Sequence, residues 1–190
     1  MPLVVPGVSS TLWRLSEAAK EDCVLLAHAL PADLASPILS SGQPKTDETA
    51  AIIALRRGLQ VRVDHRVRET GEPPGWFEGD FRALVGRYLA GDIQPGWEPH
   101  ETIVARFTAA VEDALDLVTG GGDLAITTHG RAPSLYLASR KPQILNGGRV
   151  TPFELVPFWR ALTFPDAWRL DTEVNTLERL FTAGQASLEA

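Results

Sequence analysis

The sequence predicts an α/β layer fold built on a largely parallel sheet. Two observations carry this. Short apolar runs of strand character, at Ile38-Leu39, across residues 59–63 and across residues 124–127, alternate with longer segments whose apolar residues recur at helical spacing. The 190 residues also contain no internal repeat, low-complexity tract or linker, so the chain reads as one domain, 1–190, large enough for one sizeable core.

Along the chain, Leu3, Val4 and Val5 form a short apolar run closed by Pro6-Gly7, consistent with a strand end. Ser16 is placed to cap a helix reaching about Leu30, with Ala19, Cys23, Leu26 and Leu30 on one face and Pro31 as its stop. Ile38-Leu39 then reads as a buried strand leaving through Ser40-Ser41-Gly42. Thr46 is expected to cap the next helix, whose apolar run spans Ala50 to Leu55 and which Gly58 ends. Leu59, Val61 and Val63 alternate with polar residues as in a strand. A loop at residues 72–75 precedes a helix with Phe77, Phe81, Leu84 and Tyr88 on one face. Ile103, Phe107, Ala110, Ala114 and Leu117 mark the longest helix, terminated by Gly120-Gly121-Gly122. Residues 124–127 are a strand running into Thr128-His129-Gly130, and Pro133 opens another helix. After Pro142 only a turn at Gly147-Gly148 and a strand near residues 168–171 are legible.

Composition narrows the function classes. Hydrophobic residues make up 44% and charged residues 22%, as in soluble globular proteins. The net charge of -6 disfavours nucleic acid and anionic membrane as partners. No apolar run is long enough to span a bilayer and Met1 to Pro6 lacks a basic leader, so the cytoplasm is the expected location. Cys23 is the single cysteine, lies on an apolar helix face and reads as core. No histidine pair has metal-ligand spacing, and no Walker loop, G-x-G-x-x-G or G-x-S-x-G is present, so neither metal nor cofactor is predicted.

In parallel α/β folds ligands bind beyond the carboxyl ends of the strands, which directs attention to Pro6-Gly7, residues 40–45, Glu69 and His129. His129 follows a buried strand and precedes a glycine and a helix start, where backbone amides suit an anion. It is either a cleft-facing histidine or a loop histidine satisfied by the backbone. Lys45 either supplies positive charge to that anion or is an exposed lysine. Glu69 is either a general acid or a solvated loop glutamate. The tryptophans Trp13, Trp76, Trp97, Trp159 and Trp168 are scattered and read as core or pocket wall.

The order of these pieces resembles the histidine phosphatase superfamily, the phosphoglycerate mutase-like proteins. Leu15-Ser16 is similar to the L-T that opens that family's first helix. Residues 40–50, from Ser40-Ser41-Gly42 through Lys45 to Glu48-Thr49-Ala50, resemble S-S-P-x-x-R-A-x-Q-T-A, with Lys45 at the arginine. Val67-Arg68-Glu69 resembles L-x-E, Gly96-Trp97-Glu98 and Arg106 resemble G-E-S through R, and Ile126 to Gly130 resembles V-x-S-H-G. The resemblance implies a three-layer sandwich, phosphate binding by Ser41, Lys45, His129 and Gly130, and His129 and Glu69 as catalytic groups with Glu69 the proton donor. It also implies a small phosphorylated molecule or phosphate ion as partner. A homodimer would draw on the helices beyond Pro142.

The first motif departs from the family. Leu3-Val4-Val5-Pro6-Gly7 matches L-V-R-H-G in outline, with Val5 at the arginine and Pro6 at the nucleophilic histidine. A second register places the nucleophile before Met1. In both, this sequence carries no nucleophilic histidine, which implies a phosphoester-binding protein with little or no phosphomonoesterase activity. The alternatives are an active phosphatase whose start lies upstream, a non-enzymatic interaction domain, and an unrelated α/β protein in which His129, Lys45 and Glu69 are far apart.

Overall fold

A computed structural model describes residues 3, 5, 7–71, 79–118 and 121–184. The expected loop at residues 72–75, and Val4, Pro6, Trp76 and Phe77, lie outside the described residues. Leu3 and Val5 belong to no strand; the Leu3 amide donates to the Arg14 carbonyl at 2.8 Å.

Three short parallel strands form the sheet that carries the site. β1 (Ile38–Ser40) lies in the middle, with β2 (Val61–Val63) on one side and β3 (Ile126–Thr127) on the other. All of β1 is buried, as its apolar run requires, whereas Val61 and Val63 on the edge strand β2 are exposed in spite of their alternation. Successive residues of this sheet face opposite helical layers. Ala125 joins a cluster with Leu26, Ala27, Ile38, Ala50 and Ile53, contributed by α1 (Glu17–Ala29) and α2 (Pro44–Arg57). Ile126 joins the other cluster, built from α3 (Phe81–Leu89), α4 (His100–Leu115), α5 (Arg131–Arg140) and α6 (Leu155–Ala161). The result is helix, sheet, helix.

Several helix boundaries differ from the sequence expectation. Ser16 caps α1 as expected, its hydroxyl accepting from the Ala19 amide. Thr46 does not cap α2. That helix begins at Pro44, which needs no amide partner at the first position, and Gln43 is its N-cap. Pro133 lies inside the first turn of α5, which opens at Arg131. Phe81 is 43% exposed, and the buried face of α3 is held by Leu84, Val85, Tyr88 and Leu89; Leu117 lies beyond the end of α4.

The C-terminal third forms a second, mixed sheet. β4 (Gln143–Asn146), β5 (Arg149–Pro152), β6 (Asp166–Asp171) and β7 (Thr176–Thr182) are ordered β5-β4-β7-β6, with only β4 and β7 parallel. No ladder joins β3 to β6 among the described residues. The gap is bridged by side chains: Arg169 Nε lies 3.0 Å from Asp123 Oδ2, and Trp168 and Leu170 pack into the same cluster as Ile126.

Candidate functional site

The loop leaving β1 turns sharply at Gly42, where φ is +82° and a Cβ would stand 2.5 Å from His65 Cε1. Only glycine fits there, and the turn leaves Ser41 fully buried beneath the N-terminus of α2. Ser41 Oγ is 2.7 Å from Thr46 Oγ1 and 2.8 Å from His129 Nε2. The Thr46 hydroxyl spends its hydrogen on the Gln43 carbonyl at 2.8 Å. Ser41 therefore donates to Thr46 and accepts from His129, which puts the proton of the neutral imidazole on Nε2. Burial, reinforced by Lys45, Arg131 and Arg106 against the opposing pull of Glu69, lowers the His129 ring to about 4. His129 is neutral at pH 7.

Glu69 has a different role from the one expected. Gly130 is the N-cap of α5 and has no side chain to offer the first amides of that helix. The Glu69 carboxylate does this from across the cleft. Its Oε2 accepts from the Gly130 and Arg131 amides at 3.2 and 3.3 Å, and its Oε1 from the Ala132 and Thr70 amides at 3.0 and 2.9 Å. Arg131 Nε lies 3.4 Å from Oε2. Burial alone would raise this carboxyl. Arg131, His129 and the amides of Thr70 and Ala132 outweigh it and hold Glu69 down at about 2. Glu69 is thus an ionised carboxylate whose two oxygens accept from four backbone amides. The same contacts correct the assignment of Gly130: its amide serves Glu69 and is not offered to a bound anion. What Gly130 contributes is space, since a Cβ would sit 3.3 Å from both Trp159 Nε1 and Phe164 Cζ.

The loop carrying Glu69 is clamped from α4. Arg106 Nε and Nη2 bind the two Glu98 oxygens at 2.8 and 3.0 Å, and its remaining donors reach the carbonyls of Arg66, Arg68 and Glu69 at 2.5, 3.0 and 3.1 Å. Glu98 Oε2 also accepts from the Gly71 amide at 2.9 Å. The sequence marked Glu98 and Arg106 only as part of a motif; their work as a brace depends on contacts 27 to 40 residues apart. Thr128 Oγ1 donates to the Val67 carbonyl at 2.6 Å and ties the β3 exit to the same loop.

Lys45 projects from the first turn of α2. Its Nζ donates to the Ser10 carbonyl at 2.9 Å and lies 5.8 Å from the centre of the Trp13 ring. The N-terminal segment is held by Glu48, which accepts from the Leu15 amide and from Arg14 Nη1, both at 2.8 Å. Ser41, Lys45, Glu69, His129 and Gly130 thus lie together at one end of the parallel sheet. Lys45, Glu69, His129 and Gly130 line a cavity of about 1360 Å³ that extends from this polar end into the gap between β3 and β6. Arg131, 6% exposed at its side chain, is the prominent charge in the site that the sequence barely signalled. The remaining histidines stay out of it: His28 is in α1, His100 opens α4 against Tyr88, and His65 packs under Gly42 with its Nδ1 3.2 Å from the Ser41 carbonyl.

Parallel strands with an imidazole, a lysine and an arginine gathered beyond their carboxyl ends define an α/β protein with a cleft lined by basic side chains. The chain matches the description "Histidine phosphatase superfamily (branch 1)" over residues 10–149, and it belongs to that superfamily. No curated protein sequence matches it. Among solved structures it is similar to a mycobacterial glucosyl-3-phosphoglycerate phosphatase complexed with inorganic phosphate. That likeness has a TM-score of 0.62 and 22% identity, over 94% of this chain and 90% of that one. A complex of a mycobacterial glucosyl-3-phosphoglycerate phosphatase with VO3 gives a TM-score of 0.58 at 23% identity, over 90% of this chain and 88% of that one. A protein described as mycobacterial hydrolase 1 gives 0.54 at 25% identity, over 67% of this chain and 69% of that one.

Proposed function

We propose that this chain binds a phosphomonoester or phosphate ion through Lys45 and His129, with buried Ser41 positioning the imidazole, and hydrolyses it very slowly or not at all. The observation that supports binding is the single cavity lined by His129, Lys45 and Arg131, in which the 2.8 Å contact to Ser41 holds the imidazole in place. Charge-assisted hydrogen bonds from such groups match the oxygens of a phosphoryl group. Glu69 acts as a positioning residue: it fixes the start of α5 and thereby His129 and Arg131. The reading of low activity rests on Val5 and Pro6, which fall on the family's arginine and nucleophilic histidine in the register where residues 3–7 resemble L-V-R-H-G. Valine brings no charge and proline no nucleophilic atom, so a covalent phosphohistidine cannot form at these positions. Water attack without that intermediate lacks the preorganised groups that lower the barrier.

Calorimetric titration with inorganic phosphate, together with phosphate release from a panel of phosphomonoesters, tests both halves. The expected result is saturable phosphate binding, lost in His129→Ala, with release at the enzyme-free level. Turnover abolished by His129→Ala would reject the low-activity half, and absence of any phosphate binding would reject the site. A second reading, an active phosphatase with its nucleophile supplied by residues preceding Met1, is favoured by the start of the family match at Ser10, which leaves Val5 and Pro6 outside it. An in-frame R-H segment in the upstream coding DNA, and a phosphohistidine trapped on the longer chain, would decide for it.

A further inference from the structure

Each positive group of the site has an aromatic face beside it. Lys45 sits over Trp13, and the Arg131 guanidinium stands 5.0 Å from the centre of the Trp97 ring and 5.6 Å from that of Phe81. Gly130 is flanked by Trp159 and Phe164 so closely that a methyl group would meet both. These five rings come from separate parts of the chain, and all of them line the same cavity as His129 and Lys45. Phe81 and Phe164 keep 43% and 41% of their surface exposed, directly at a charged site. Exposed rings gathered around one cavity are apolar surface that a ligand would cover. Deeper in, the wall continues through Leu84, Leu162 and Phe158.

We propose that the ligand of this site is an aryl phosphomonoester, with its phosphate at Lys45 and His129 and its aromatic group inside the collar formed by Trp13, Phe81, Trp97, Trp159 and Phe164. This rests on the phosphate-binding reading and narrows it to one substrate class. A sugar or glycerate phosphate presents hydroxyls that need polar partners, and apolar rings leave such hydroxyls desolvated and unpaired. A planar aromatic group gains from the same rings by offset or edge-on stacking as well as by area burial. The same phenolic phosphate chemistry occurs in small aryl phosphates and in phosphotyrosine within a peptide. The test separates the two sources.

The experiment is isothermal titration of the intact chain with inorganic phosphate, 1-naphthyl phosphate, 1-naphthol, glucose 1-phosphate and a phosphotyrosyl peptide, repeated with Phe164→Ser and Trp159→Leu. Phe164 is partly exposed, so its replacement keeps the test open if the Trp159 variant fails to fold. The expected result is 1-naphthyl phosphate binding at least tenfold more tightly than inorganic phosphate and glucose 1-phosphate, about 1.4 kcal/mol. That margin should shrink severalfold in Phe164→Ser while affinity for inorganic phosphate holds. Equal affinity for naphthyl phosphate and inorganic phosphate would overturn the aryl preference and leave the phosphate reading standing. Loss of phosphate binding altogether would remove both. Naphthol binding as tightly as its phosphate would overturn the proposal by showing a groove independent of the anion site. Tighter binding of the phosphotyrosyl peptide than of naphthyl phosphate would assign the aryl phosphate to a peptide source.

Discussion

The two walls that meet at His129 are built differently. On one side, the loops after β1, β2 and β3 brace one another. Glu69 holds the first amides of α5, Thr128 holds the Val67 carbonyl, and Arg106 gathers the carbonyls of residues 66, 68 and 69 while pairing with Glu98. On the other side, the N-terminal segment rests on α2 through Glu48 and on Lys45 through the Ser10 carbonyl, and Val5 is 39% exposed. The braced wall contains the groups suited to holding an anion. The N-terminal segment carries the Val5-Pro6 sequence that resembles the family's R-H in outline. Under the proposed reading, anion binding and covalent chemistry belong to different segments, so the support for one can persist when the residues of the other are replaced.

Several substitutions would sharpen or break this contrast. The largest effect is expected from Arg106→Ala, which leaves Glu98, at 11% side-chain exposure, with only Arg68 at 3.9 Å and the Gly71 amide against its charge. Removing one partner of such a pair costs about 3–5 kcal/mol. Denaturant unfolding should show it, and Glu98→Gln with Arg106 intact should cost less. Next, His129→Ala and Lys45→Ala should each weaken inorganic phosphate by about 10- to 100-fold, the equivalent of a lost hydrogen bond to a charged group. Val5→Ala should change that affinity less than twofold. Comparable losses from both walls would end the distinction drawn between them. Gly42→Ala should destabilise by about 1–3 kcal/mol, because it forces a side chain into left-handed backbone against His65.

A smaller effect concerns pH. The unfolded His129 ring titrates near 6.5 and the native ring at about 4, so between these values the unfolded chain binds a proton that the native one does not. The His129 contribution to stability is therefore complete above pH 6.5 and is lost as pH falls toward 4. Glu69 adds a loss of the same sign lower down, between 4.5 and about 2. Melting curves from pH 7 to 4 should show a decline that His129→Asn flattens. A bound phosphate favours the charged imidazole, so phosphate binding near pH 6 should take up protons, visible as a dependence of the binding enthalpy on buffer ionisation. Binding without proton uptake would separate His129 from the anion.

The sequence by itself determined the alternation of elements, the burial of β1, the caps at Ser16 and Gly58, and the convergence of Ser41, Lys45, Glu69 and His129. These are local signals: apolar period, capping chemistry, and the rule that parallel strands open onto a common edge. The exposed β5 and the short β4 left no apolar period to read, which is why the second sheet was missed. Only the tertiary structure decided what the site residues do. Glu69 becomes a helix cap because Gly130, 61 residues away, lacks a side chain. The His129 tautomer follows from a hydroxyl relay through Ser41 and Thr46, and the aromatic collar assembles from five separate stretches of chain. Roles of this kind are set by partners distant in sequence, and neither spacing nor residue type carries that information.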